Sequence, residues 1–106
     1  MEKERNIIYE ENGKEKEYDW NDNLIFEGEY LNGKRNGNGK EYYDNGKLIF
    51  KGKYLNGKRW NGKGKEYYYH DKLEFEGEYL NGERFGKGKE YDSYGELQFE
   101  GEYLNG

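Results

Sequence analysis

The chain contains no cysteine and only one histidine. Without cysteine it has neither a disulfide framework nor a thiolate metal site. A single histidine does not supply the cluster of ligands that a metal centre needs. We therefore expect no metal and no cofactor.

Long apolar segments are missing as well. The segment Met1–Arg5 is charged, and no later stretch approaches the roughly 18 apolar residues that span a bilayer. Acidic and basic residues are interleaved, with a net charge of −5 and no long block of one sign. Nucleic acids and anionic membranes attract clustered Lys and Arg, so both are disfavoured as partners. We expect a soluble, cytoplasmic protein.

Apolar residues are scarce, at 31% against 39% charged residues, a balance that is typical of disorder. Aromatic residues, however, make up 19% of the chain and recur at fixed positions. This regularity predicts a folded protein with an aromatic core.

An eight-residue word recurs along the chain. FEGEYLNG at 26–33 returns as FKGKYLNG at 50–57 and as FEGEYLNG at 75–82 and 99–106, at intervals of 24, 25 and 24 residues. A fixed period of this length is the signature of a stacked repeat array. The period predicts an irregular N-terminal capping unit over 1–23 and repeats over 24–49, 50–74 and 75–98, with a partial repeat over 99–106.

Each repeat has the pattern of a β-hairpin. Polar and apolar residues alternate around Asn32-Gly33, a pair suited to a two-residue type I′ turn. Such a turn places Tyr30 opposite Arg35, Gly28 opposite Gly37 and Phe26 opposite Gly39. Glycine inside a strand is explained when a ring packs over it. We therefore expect aromatic rings to cover these glycines, within an all-β, elongated antiparallel meander of stacked hairpins.

The connection between repeats contains a second turn signal. Gly46 and its equivalent Asp22 are residue types that tolerate a left-handed backbone. A three-residue loop with a bulge at Gly46 would place Tyr42 on the same face as Leu48 and Phe50. The strand from Phe99 is then expected at an edge of the sheet, with unpaired backbone groups.

Written out, the repeat is aromatic-x-Gly-x-aromatic-x-x-Gly-x-x-x-Gly-x-Gly, and it resembles the MORN repeat. The second copy has one inserted residue, Trp60, before its last two glycines. The motif positions are Phe26, Gly28, Gly33, Gly37 and Gly39; Phe50, Gly52, Gly57, Gly62 and Gly64; Phe75, Gly77, Gly82, Gly86 and Gly88; and Phe99 and Gly101.

The resemblance implies a twisted antiparallel sheet that serves as a scaffold or a protein-binding surface. The period is one residue longer than the commonest MORN unit, and Tyr stands where Trp is frequent; both features are similar to MORN-variant repeats of low-GC bacteria, some of which are antitoxin-like. The aromatic face has two interpretations, a closed core or an open groove. As a groove, it would meet a partner through Tyr30, Tyr54, Trp60, Tyr79 and Tyr103.

The residues give little support to catalysis. His70 aligns with a turn, and Ser93 lies in the equivalent turn without a histidine near it in the period. Repetition gives paired carboxylates such as Glu76 and Glu78 nearly the same environment, whereas acid–base pairs need two different ones. The Gly-x-Gly-Lys segments lack the strand-to-helix context of a phosphate loop.

We therefore expect a non-enzymatic scaffold or protein-interaction module. It would act through the aromatic face or the C-terminal edge strand, on a protein partner or by self-association. Two alternatives stay open: a toxin-neutralising binding protein and a peripheral membrane tether.

Overall fold

A computed structural model describes residues 7–11, 13–68 and 72–104 of the chain. These residues form one antiparallel sheet of nine strands that lie side by side in chain order. The all-β hairpin meander expected from the repeats is confirmed. The strands are β1 Ile7–Glu11, β2 Lys14–Tyr18, β3 Leu24–Leu31, β4 Lys34–Tyr42, β5 Leu48–Leu55, β6 Lys58–Tyr68, β7 Lys72–Leu80, β8 Glu83–Tyr91 and β9 Leu97–Tyr103.

The longest dimension of the molecule is 40 Å. Eight inter-strand spacings of about 4.8 Å account for most of that length. Among the described residues there is no helix of the length and apolarity that crossing a membrane requires. His70 and the last turn at Asn105-Gly106, both predicted from the sequence, lie outside the described residues.

The Asn-Gly turns close the hairpins as predicted. Asn32 and Gly33 have φ values of 53° and 79°, the two positive angles of a type I′ turn. The pairs at Asn56-Gly57 and Asn81-Gly82 have nearly the same angles. The hairpins are then joined through the predicted three-residue loops: the Tyr43 N–H donates to the Lys47 carbonyl (2.8 Å), and Gly46 has a φ of 91°.

The prediction that Tyr42 lies on the same face as both Leu48 and Phe50 is wrong in part. A further bulge shifts the register between Glu41 and Tyr42, so that Tyr42 lies opposite Leu48 while Glu41 lies opposite Phe50. The Tyr42 hydroxyl donates to Glu27 (2.6 Å) on the charged face of the sheet. Tyr42 is therefore separated from the phenylalanines.

The predicted pairing within the first hairpin is also wrong beyond Tyr30 and Arg35. Gly28 lies opposite Gly39 instead of Gly37, and Phe26 lies opposite Glu41 instead of Gly39. The register changes because β4 bulges at Gly37, where the Glu29 carboxylate accepts a hydrogen bond from the Asn38 N–H (2.9 Å). An added Cβ at Gly37 would meet this carboxylate, so the glycine makes room for Glu29 and not for a ring.

The hairpin that contains Trp60 pairs differently. Here Gly52 lies opposite Gly62, and Phe50 lies opposite Gly64. On its other side, β6 pairs Gly64 with Gly77. The glycine of β6 that faces a glycine of β5 is therefore not the one that faces a glycine of β7. In this hairpin, Lys53 stands where the first hairpin has Glu29. Its ammonium group cannot accept a hydrogen bond from a backbone N–H, as the Glu29 carboxylate does.

The core is a continuous row of rings on one face, which we call the aromatic face. Successive centroids lie 5.1 to 6.0 Å apart, and the rings meet edge to face. This geometry is favoured for aromatic pairs. The order along the row is Tyr30, Phe26, Tyr54, Phe50, Tyr79, Phe75, Tyr103 and Phe99.

The glycines let these rings lie on the backbone. An added Cβ at Gly39 would be 2.7 Å from the Phe26 ring and 3.1 Å from the Tyr54 ring. The expectation that Phe26 covers Gly39 is therefore confirmed as a contact, although the two residues are not directly opposite.

Candidate functional site

The aromatic face carries a polar network that repeats with the hairpins. Each tyrosine of the row donates its hydroxyl hydrogen bond to a glutamate on the preceding strand, as Tyr54 does to Glu41 at 2.7 Å. The same bond joins Tyr30 to Glu17, Tyr79 to Glu66 and Tyr103 to Glu90. The polar tip of each tyrosine is thus satisfied beside the core.

An arginine from the following strand completes the first three of these networks. Arg35 binds Glu17 through two N–H groups, each 2.8 Å from a carboxylate oxygen. Arg84 binds Glu66 in the same bidentate way, at 2.7 and 3.3 Å, and Arg59 binds Glu41 at 3.1 Å. Such charge-assisted pairs are stronger than neutral hydrogen bonds.

The same arginines cover the phenylalanines. The Arg35 guanidinium carbon lies 4.3 Å from the centre of the Phe26 ring. The corresponding distances are 4.9 Å for Arg59 over Phe50 and 4.1 Å for Arg84 over Phe75. These three phenylalanines are thereby closed off from water, each under a cation bound to a carboxylate.

Sequence reasoning missed these glutamates and arginines. A signal was present: Glu17, Glu41, Glu66 and Glu90 each stand in a Lys-Glu-Tyr word. The arginine always follows the tyrosine of the row by five residues. Constant spacing marked these charged residues as part of the repeat, but only the folded sheet brings the three side chains together.

The network changes the acidity of its members. Burial raises the pKa of Glu17, but the hydrogen bonds from Arg35 and Tyr30 outweigh it and leave that pKa below its usual value. The pKa of Glu66 is lowered in the same way by Arg84 and Tyr79. Burial together with the bond to Glu66 raises the pKa of Tyr79 to about 12, and burial with the bond to Glu90 raises that of Tyr103 to about 12.

We expect the free energy of unfolding to fall at both ends of the pH scale. The lowered glutamate pKa values stabilise the fold above about pH 4.5, and this contribution is lost as the pH falls through the folded-state values. The raised tyrosine pKa values stabilise it below about pH 10, and this contribution is lost as the pH rises through about 12. Urea unfolding at a series of pH values measures both.

The Tyr79→Phe variant is the control for the alkaline limb. It keeps the ring and removes the ionisable hydroxyl, so its loss of stability between about pH 10 and 12 should be shallower than that of the parent chain. Equal slopes in the two proteins would contradict the role given to Tyr79.

The predicted partner-binding residues occupy different environments. Tyr54 is 3% exposed and belongs to the core, while Tyr30, Tyr79 and Tyr103 are half-buried with their hydroxyls bound to glutamates. The Trp60 ring packs against Gly82, and an added Cβ at Gly82 would lie 3.1 Å from that ring. The backbone carbonyl of Trp60 accepts a hydrogen bond from the Gly82 N–H at 3.0 Å. Along the interior of the array, the aromatic face therefore has the character of a closed core.

The aromatic face is open at β9. Phe26, Phe50 and Phe75 are 0, 1 and 0% exposed, whereas Phe99 is 41% exposed. None of the described arginines lies over Phe99, because Arg35, Arg59 and Arg84 cover the three earlier rings. We call Phe99, Tyr103 and Glu90, together with the outer side of β9, the C-terminal edge.

The opposite face is charged and forms an open groove of about 770 Å³ across β5 to β9. Lysines and glutamates of neighbouring strands line it above glycine backbone. Residues of opposite sign face each other here: the register contains Lys63 with Glu78, Lys65 with Glu76, Lys89 with both Glu76 and Glu100, and Lys87 with Glu102.

One row on this charged face departs from alternation. Lys51 lies between Lys40 and Lys63, so three lysines stand side by side on adjacent strands. The three lysines are distant in the chain, and only the pairing of β4, β5 and β6 brings them together.

We predict that Lys51→Glu stabilises the protein by about 0.5 to 1 kcal/mol at low salt, because it replaces two repulsive cross-strand pairs with attractive ones. Urea unfolding at two salt concentrations measures the effect, which should shrink at high salt. Lys58→Glu is the matched control: it makes the same charge change at an exposed position of β6, where the residue opposite is Leu55. Equal effects of the two variants would rule out the row as the cause.

Comparison of this chain with protein-family models, with curated proteins and with solved structures gave no match.

Proposed function

We propose that this chain is a non-enzymatic, MORN-like repeat array that binds another polypeptide along the C-terminal edge. The observation that carries the proposal is the contrast between Phe99, 41% exposed, and its three buried equivalents. Edge strands with free backbone groups are templates for an added strand, and an exposed ring beside such an edge supplies apolar contact.

The interior of the array supports the choice of this surface. The rings between β3 and β8 are covered by arginines of the chain itself and offer little area to a partner. At β9, by contrast, a half-exposed phenylalanine, a tyrosine and a carboxylate lie beside an edge on which no described strand packs. Within the described residues, the surface at β9 therefore differs in character from the interior of the array.

Selection of extended peptides from a displayed random library on the immobilised chain tests the proposal. Peptides that bind should lose affinity for a Phe99→Asp variant and keep it for Tyr94→Asp, since Tyr94 is 86% exposed in the preceding loop. Both variants remove one exposed ring and add one charge. Failure to select any peptide, or peptides indifferent to Phe99, would contradict the proposal.

A further inference from the structure

The charged face carries a compact group of lysines centred on β5, which we call the lysine patch. Its members are Lys40, Lys51, Lys53 and Lys63. Lys51 lies between the lysines of β4 and β6, and Lys53 follows it on the same side of β5 with an asparagine facing it from each neighbouring strand. Given the spacing of strands and of alternate residues, the patch measures about 10 Å by 7 Å.

The charges of the lysine patch are not compensated within the described residues. All four lysines are exposed, and none of them forms an ion pair with a described carboxylate. On the strands from β6 onward, by contrast, lysines and glutamates of the same face stand opposite each other. The patch is therefore a local concentration of positive charge on a chain whose net charge is −5.

The carboxylates that border the patch are directed to other partners. Glu27, which faces the patch from β3, accepts a hydrogen bond from the Tyr42 hydroxyl at 2.6 Å. Glu29 accepts the Asn38 N–H at 2.9 Å. Glu78 faces the patch from β7, but its carboxylate lies over Gly86 of β8, where an added Cβ would be 2.8 Å from the oxygen. The ammonium groups of the patch thus remain available to an anion from solution.

We infer that the lysine patch is a binding site for a compact, multiply charged oxyanion of the pyrophosphate class. Like charges on directly opposite strand positions destabilise a sheet, and a local arrangement that breaks such a rule is expected at functional sites. An anion that bridges Lys51 and its neighbours relieves this repulsion. The site shares no residue with the C-terminal edge, so the inference goes beyond the proposed function and does not depend on it.

The dimensions of the patch favour a compact anion over a long one. Two linked phosphoryl groups lie within the row of three lysines, and the flexible lysine stems allow the ammonium groups to converge on them. A nucleic acid or an anionic membrane would extend past the row, over Glu27 on one side and Glu78 on the other. These carboxylates would repel the additional phosphates.

Titration of inorganic pyrophosphate into the 106-residue chain tests the inference. At low salt, the amide signals of β4, β5 and β6 should shift in NMR spectra with a dissociation constant of about 1 mM. The affinity should fall as sodium chloride is added, because the site is exposed to solvent. Adenosine diphosphate is the second probe: equal affinity identifies the phosphates alone as the recognised group, and tighter binding identifies a nucleotide as the source of the diphosphate.

Two variants provide the matched comparison. Lys51→Glu should weaken pyrophosphate binding at least about tenfold, because it replaces the central positive charge with a negative one. The same variant is expected to stabilise the fold, so a loss of binding does not result from unfolding. Lys58→Glu makes the same charge change at an exposed position of β6 outside the patch and should change the affinity by no more than about twofold.

Three results would overturn the inference: no shift of the β4 to β6 signals at about 10 mM pyrophosphate, equal weakening in the two variants, or shifts spread evenly over the lysines of all strands. Tighter binding of a single-stranded oligonucleotide or of anionic vesicles than of pyrophosphate would also overturn it, since the ligand would then be an extended polyanion. None of these results bears on peptide binding at the C-terminal edge, which depends on other residues.

Discussion

Replacing Gly52 with alanine is expected to destabilise the fold by about 3 kcal/mol or more. Gly52 and Gly62 face each other across β5 and β6. An added Cβ at Gly52 would lie 2.7 Å from the Gly62 Cα and would also meet the carbonyl oxygen of Asn61. Both obstacles are backbone atoms, so a rotamer change cannot relieve the clash and the two strands must separate. Urea unfolding followed by circular dichroism measures the loss.

Gly46→Asp is the control for Gly52→Ala. Gly46 also has a special role, with a φ of 91°, but no atom lies within 4 Å of an added Cβ. The chain itself places Asp22 at the equivalent loop position with a φ of 65°. The Gly46→Asp variant should therefore stay within about 1 kcal/mol of the parent. If the two substitutions lower the free energy of unfolding equally, close packing of backbone atoms is not the reason that position 52 requires glycine.

The repeat pattern predicted those parts of the fold that local chemistry determines. Asn-Gly pairs dictate two-residue turns, and a left-handed position such as Gly46 dictates the longer loop. Both are properties of a few consecutive residues, and both are found in the structure. The strand order then follows, because each short turn leaves its two strands side by side.

The pairing register could not be predicted from the repeat pattern. It depends on the Glu29 carboxylate reaching across to the Asn38 N–H, a contact between strands that no alternation of polar and apolar residues encodes. The insertion of Trp60 illustrates the same limit, since the pairing of Gly52 follows from how the whole of β6 accommodates the extra residue.

The polar network was missed for a related reason. Glu41 and Arg59 look like solvated charges when each strand is considered alone, because charged residues are rarely buried unless they are paired. Their pairing joins β4 to β6 across β5 and becomes visible only when three strands are considered together. The aromatic row was predictable because tyrosine and phenylalanine are apolar by type, whereas the residues that close it are identified by their partners.

Arg59→Met is expected to cost about 2 to 3 kcal/mol of unfolding free energy, because it leaves a largely buried carboxylate with weaker partners. Arg59 donates to Glu41 at 3.1 Å, to the Lys65 carbonyl at 3.1 Å and to the Tyr79 hydroxyl at 3.1 Å. Without it, Glu41 keeps the Tyr54 hydroxyl and an arginine nitrogen of Arg35 at 3.8 Å. Methionine fills much of the volume over Phe50. The loss of stability therefore comes mainly from the broken charge network and not from a cavity.

Lys58→Met separates the network from the simple loss of a positive charge. Lys58 precedes Arg59 on β6, is exposed and faces Leu55, so its replacement should change stability by no more than about 0.5 kcal/mol. A double variant, Glu41→Gln with Arg59→Met, should recover part of the loss, since it also removes the stranded carboxylate. If Arg59→Met is as mild as Lys58→Met, the arginines do not hold the hairpins together.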